Sequence, residues 1–200
     1  MLKVEIRNNS VEISGYVNVV QRESRPIRSS TGVFIETVEA GVFQRALDKA
    51  EDVQILHNHN KSRVLGSVKA GNLELREDNV GLYAKATVTD PIIIEKARNK
   101  ELRGWSFGFI KNKDRFEPAG ENLEKRYLED ITLTEVSILD ITPAYVATSV
   151  EVRSENEEPR TEEQRFIKEN QIEVNEIKES SIKEDRAYFY AIKNFLKIKE

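Results

Sequence analysis

With no cysteine in the chain, any nucleophilic or acid–base chemistry rests on Ser, Thr, Asp, Glu, Lys and two histidines. Both histidines lie in Leu56-His57-Asn58-His59-Asn60, directly behind the apolar run Val53-Gln54-Ile55-Leu56. Three roles are open to them. On a strand, the i, i+2 spacing sets both imidazoles on one face, as a metal pair requires, although no nearby carboxylate marks a third ligand. In a turn, both are simply hydrogen-bonded or solvated. In the third role one is a general base, because neutral imidazole accepts and returns a proton near neutrality.

A base needs a nucleophile, and Ser106 in Arg103-Gly104-Trp105-Ser106-Phe107-Gly108-Phe109 is the most suggestive serine. Alternation turns Trp105, Phe107 and Phe109 to one face and Ser106 to the other, and the glycines allow close backbone approach. The same pattern also describes a core strand whose serine merely fits, and it lacks the G-x-S-x-G spacing of a hydrolase elbow. A third segment, Leu133-Thr134-Glu135-Val136-Ser137-Ile138-Leu139, sets one carboxylate in an apolar strand. Glu135 shares its phase with Ser137, so it could line a polar pocket and orient an imidazole, or face solvent.

The elements that must position these residues are mostly strands. The chain has 200 residues and 38% hydrophobic content, enough to build a core from part of its length. Val4–Arg7 and Val11–Ser14 alternate around Asn8-Asn9, a hairpin signal. Further strands are expected at Val53–Leu56, Leu73–Arg76, Leu82–Val88, Gly104–Ile110, Tyr127–Ile131 and Glu135–Leu139. Two helices are expected: Ala40–Ala50, opened near Thr37 or Glu39, and Pro91–Arg98, with Asp90 as cap and Pro at its first turn. Many short strands with few helices point to a small barrel or curled sheet.

Residues 151–200 differ, with 13 acidic and 10 basic side chains. This is the composition of a linker or solvated helix up to Lys183, and Tyr188, Ile192, Phe195 and Lys199 then mark an amphipathic helix over Tyr188–Ile198. The start of the chain lacks the apolar stretch of a signal peptide, and no run is long enough for a transmembrane helix. A net charge of −4 without a basic, aromatic-rich cluster argues against nucleic acid as a partner.

Taken in order, these segments resemble the prohead (capsid maturation) serine proteases of tailed bacteriophages, which are related to the herpesvirus protease assemblin. The stretches that carry the resemblance are Gly15-Tyr16-Val17, Phe34–Leu47, Val53–Val88, Arg103–Phe109 and Arg126–Thr148. It implies His59 of Asn58-His59-Asn60 as general base, Ser106 as nucleophile and Glu135 as the group that orients His59. Asn60 stands where the family usually has Asp. His57 is the reserve third member, because the related viral enzymes use a second histidine, and Arg126 and Arg103 are candidate oxyanion donors. The implied fold is mainly β with flanking helices, a closed or partly closed small barrel of the herpesvirus-protease type. A protease domain over 1–153 would precede a charged, helical, removable tail over 154–200.

The implied activity is a serine endopeptidase that needs no metal or cofactor. It would cleave capsid and scaffold protein segments, and itself, inside the assembling prohead in the host cytoplasm, with no membrane partner. The related viral enzymes work as dimers, so a homodimer or higher homo-oligomer is the corresponding assembly. The competing reading is a non-catalytic capsid-assembly scaffold that works through its helical tail.

Overall fold

The computed structural model describes residues 2–29, 32–121, 123–140, 147–152, 160–166 and 172–177. Its strands are β1 (Leu2–Ile6), β2 (Val11–Val19), β3 (Ile27–Ser29), β4 (Gly32–Val38), β5 (Gln54–His57), β6 (Asn60–Ser67), β7 (Leu73–Glu77), β8 (Gly81–Val88), β9 (Gly104–Gly120), β10 (Leu123–Leu139), β11 (Ala147–Val152), β12 (Arg160–Phe166) and β13 (Ile172–Glu176). Two helices, α1 (Val42–Lys49) and α2 (Pro91–Arg98), complete the described elements.

The strands form two sheets. One runs β13-β1-β2-β8-β7, the other β11-β12-β9-β10-β4-β3, with β5 on β10 and β6 on β5. A single cluster of buried apolar side chains draws on both sheets and both helices, from Leu2, Val4 and Ile13 through Phe43 and Ile93 to Trp105, Phe107 and Phe109. Burial of this apolar area is the main force holding the sheets together. A closed or partly closed barrel was expected; the hydrogen-bonded path does not close on itself among the described residues, so the closed form is not found, and the two sheets share one core.

The helix Pro91–Arg98 has the expected bounds, because Asp90 accepts from Ile92 N–H and Ile93 N–H and proline occupies the first turn. The other helix opens later than expected, at Val42 behind Gly41 in the left-handed region. Its free N–H groups at Gly41 and Gln44 are taken by the Glu77 carboxylate of β7, 2.6 and 2.7 Å away, a cap that comes from a remote strand.

The strands expected at Tyr127–Ile131 and Glu135–Leu139 are one strand, β10, which pairs antiparallel with the equally long β9. Register shifts along this hairpin interrupt the alternation. In the charged stretch where a linker or solvated helix was expected, β12 pairs with β9 and β13 pairs parallel with β1. The helix expected over Tyr188–Ile198 lies outside the described residues.

Candidate active site

Ser106 on β9 stands opposite Ser137 on β10, and Gly108 stands opposite Glu135. Between Leu133 and Glu135 the ladder advances two residues on β10 for one on β9, a bulge at Thr134. Strict alternation would turn Leu133 and Glu135 to the same side. The bulge lets Leu133 join the apolar core while Glu135 and Ser137 face the polar side, next to core-facing Val136 and Ile138.

The histidines come from the β5–β6 hairpin. His57 pairs with Asn60, leaving Asn58 and His59 as a two-residue turn with φ of 52° and 59°. Two successive positive φ values mark a type I′ turn, a conformation that costs non-glycine residues free energy and needs support from its surroundings. Asn58 N–H donates to the Ile138 carbonyl (3.1 Å), and Asn58 Nδ2 donates to Asp140 Oδ1 (2.6 Å). Asp140 N–H returns a bond to Asn58 Oδ1 (3.1 Å), and His59 N–H donates to Ser137 Oγ (3.1 Å). The turn is thus fastened to the end of β10, and the two imidazoles diverge instead of sharing a strand face.

His59 Nδ1 lies 2.6 Å from Glu135 Oε1, and its Nε2 lies 2.7 Å from Ser106 Oγ. An ionised carboxylate can only accept, so the ring proton belongs on Nδ1 and the Nε2 lone pair faces the hydroxyl. Glu135 is 3% exposed, and its second oxygen accepts from Ser137 Oγ at 2.6 Å. Nucleophile, base and orienting carboxylate therefore form a continuous chain of hydrogen bonds, with Ser137 bracing both Glu135 and the His59 backbone.

His57 takes a different set of partners. Its Nε2 lies 2.9 Å from Asp140 Oδ2, and Lys96 Nζ lies 2.8 Å from the same oxygen. The reserve histidine thus belongs to the clamp under the turn, away from Ser106. Asn60 is turned from the base as well, since its Oδ1 accepts from Ser62 N–H at 2.9 Å.

Of the two arginines expected to support an oxyanion, Arg126 is committed elsewhere. Its buried guanidinium donates to Asp114 (2.8 Å), Glu36 (3.1 Å) and Glu163 (2.6 and 2.7 Å). Arg103 is exposed just ahead of β9, where its N–H donates to the Leu139 carbonyl.

The family model for caudovirus prohead serine proteases matches residues 1–163. The chain belongs to that family. Membership in the prohead serine proteases implies an enzyme of the phage prohead with a capsid-related substrate. No curated protein and no solved structure matches. Among the described residues, no helix is long and apolar enough to cross a membrane.

Sequence reasoning missed Ser137 as a brace and Asp140 as an anchor. The alternation shared by Glu135 and Ser137 was the available signal for the first. Asp140 carried none, because its partners Asn58 and Lys96 are remote in sequence.

Proposed function

We propose that this prohead protease cleaves capsid and scaffold segments, and its own chain, with Ser106 as nucleophile, His59 as general base and Glu135 as orienting carboxylate. The observation that carries this reading is the relay Ser106 Oγ to His59 Nε2 at 2.7 Å and His59 Nδ1 to Glu135 Oε1 at 2.6 Å. Ser106 Oγ attacks the scissile carbonyl while Nε2 takes its proton, and the imidazolium then protonates the leaving amine. Glu135 fixes the tautomer and stabilises the imidazolium. Backbone N–H groups or Arg103 supply the oxyanion donors.

The test is labelling by a fluorophosphonate together with cleavage of the capsid protein. Wild type should label at Ser106 and cut, whereas Ser106→Ala and His59→Ala should do neither while remaining folded. Cutting by purified Ser106→Ala would overturn the assignment. A protein that binds capsid protein yet neither labels nor cuts would instead be the non-catalytic scaffold.

A further inference from the structure

Ser106 is fully buried, which a nucleophile for other chains cannot remain. What covers it is β12. The ladder sets Phe166 opposite Ser106 and Arg165 opposite Phe107, and the Arg165 carbonyl oxygen lies 2.7 Å from Ser106 Oγ. A carbonyl carbon is about 1.2 Å from its oxygen, so the Arg165 carbon lies within about 4 Å of Oγ, beside the roughly 3–3.5 Å of a near-attack geometry. The same hydroxyl faces His59 Nε2 at 2.7 Å. A backbone carbonyl, a hydroxyl and an imidazole thus meet at one point.

The segment Arg160-Thr161-Glu162-Glu163-Gln164-Arg165-Phe166 is unusually charged for a strand so placed. Each of its buried charges meets an opposite charge on the rest of the fold. Arg165 Nε and Nη2 donate to the two oxygens of buried Glu36 at 2.7 and 2.9 Å, and the guanidinium lies 5.1 Å from the Phe109 ring centre. Glu163 takes both Arg126 terminal nitrogens and also pairs with Arg165. Glu162 accepts from Lys61 Nζ at 2.7 Å and Thr134 Oγ1 at 2.6 Å. Buried ion pairs fix register while contributing little net stability, so such a strand is read closely but held loosely. With β12 withdrawn, Glu36 keeps only Arg126 of its two guanidinium partners, so its carboxylate is open to an incoming guanidinium.

We propose that β12 occupies the substrate position, that Arg165–Phe166 is the bond the enzyme cuts in its own chain, and that its substrates are extended segments carrying Glu-x-Arg before the cut. Glu36 reads the arginine, Arg126 reads the glutamate two residues earlier, and the segment pairs along β9 as an added strand. This rests on the serine-protease reading above. Ser106 Oγ bonds to the Arg165 carbonyl carbon as His59 takes its proton. The C–N bond to Phe166 then breaks, with that proton passing to the Phe166 amine, and water releases the Arg165 carboxylate from Ser106.

The test is intact-mass analysis of the full chain at neutral pH, with fluorophosphonate labelling in parallel. Wild type should lose the segment beginning at Phe166, and Ser106→Ala should stay whole. Arg165→Gln and Glu36→Gln should each slow the cut about tenfold or more, as loss of one partner of a buried charge pair does. Because Glu36→Gln could unfold the chain, a peptide of residues 160–170 is also offered to the wild type. It should be cut after its arginine, and its Arg165→Gln form should resist. Ser106-dependent cutting at a different bond overturns the inference and leaves the protease reading standing. So does a chain that stays whole, with the peptide uncut, while Ser106 labels. A Ser106 that neither labels nor cuts overturns both.

Discussion

Gly108 stands across the β9–β10 ladder from Glu135, and a Cβ built on it would lie 2.6 Å from Glu135 Oε1 and 2.9 Å from Thr134 Oγ1. The glycine of Ser-Phe-Gly-Phe therefore leaves room for the carboxylate that holds His59. Gly108→Ala should push that carboxylate off His59 Nδ1 and lower turnover about a hundredfold, the usual effect of a misplacement near 1 Å. Unfolding free energy should change by less than about 2 kcal/mol. Peptide turnover and urea denaturation of the same preparation check both halves.

Ser137 donates to Glu135 Oε2 and accepts from His59 N–H, so it is a positioning residue that touches no reacting atom. Ser137→Ala should reduce kcat by roughly 10- to 100-fold, leave KM nearly unchanged and displace the acidic limb of the pH–rate profile, where the base His59 must lose its proton. A change confined to KM would count against this role.

Asp140 ties the turn to α2 through Asn58, His57 and Lys96. Burial raises its carboxyl pKa, but hydrogen bonds from Lys96, Asn58 and His57 outweigh that and bring it from 3.8 down to about 2. Because the folded value is the lower one, the carboxylate stabilises the protein above about pH 4, and this contribution disappears as pH falls toward 2. Over that window the unfolding free energy of Asp140→Asn should vary less than that of wild type, by at most about 2 kcal/mol once screening is considered. Parallel curves would show that another group titrates.

Arg126 balances Asp114, Glu36 and Glu163 inside the fold. Arg126→Met leaves these carboxylates without their shared cation and should cost about 3–5 kcal/mol. The deficit should shrink on acidification as the stranded carboxylates take up protons. Full stability of Arg126→Met would count against this balancing role.

The parts of this site that were legible in the sequence are those fixed by local chemistry. Asp90 and Pro91 specify the start of α2, and the alternation of Trp105, Phe107 and Phe109 against Ser106 specifies β9 at its catalytic end. The turn at Asn58-His59 was not legible, because its left-handed residues are held by Ile138, Asp140 and Ser137, all on or beside a strand nearly 80 positions away. Nor was the bulge at Thr134, since a phase change in one strand shows only against its partner. The strand β12 escaped for a further reason: its register is set by Glu36, Lys61 and Arg126, and charges paired across the fold leave no hydrophobic period to read.

The parallel ladder between β1 and β13 gives the first strand of the chain a partner from beyond Arg165. Any cut between Arg165 and β13 would turn that ladder from an internal contact into a complex of two molecules. Release of the far piece would then depend on dilution and on a five-residue strand with largely solvent-facing side chains. In a crowded shell the severed piece would rebind, whereas in dilute solution it would leave. Peptide-bond cleavage and loss of the cleaved segment are therefore separate events with separate concentration dependences.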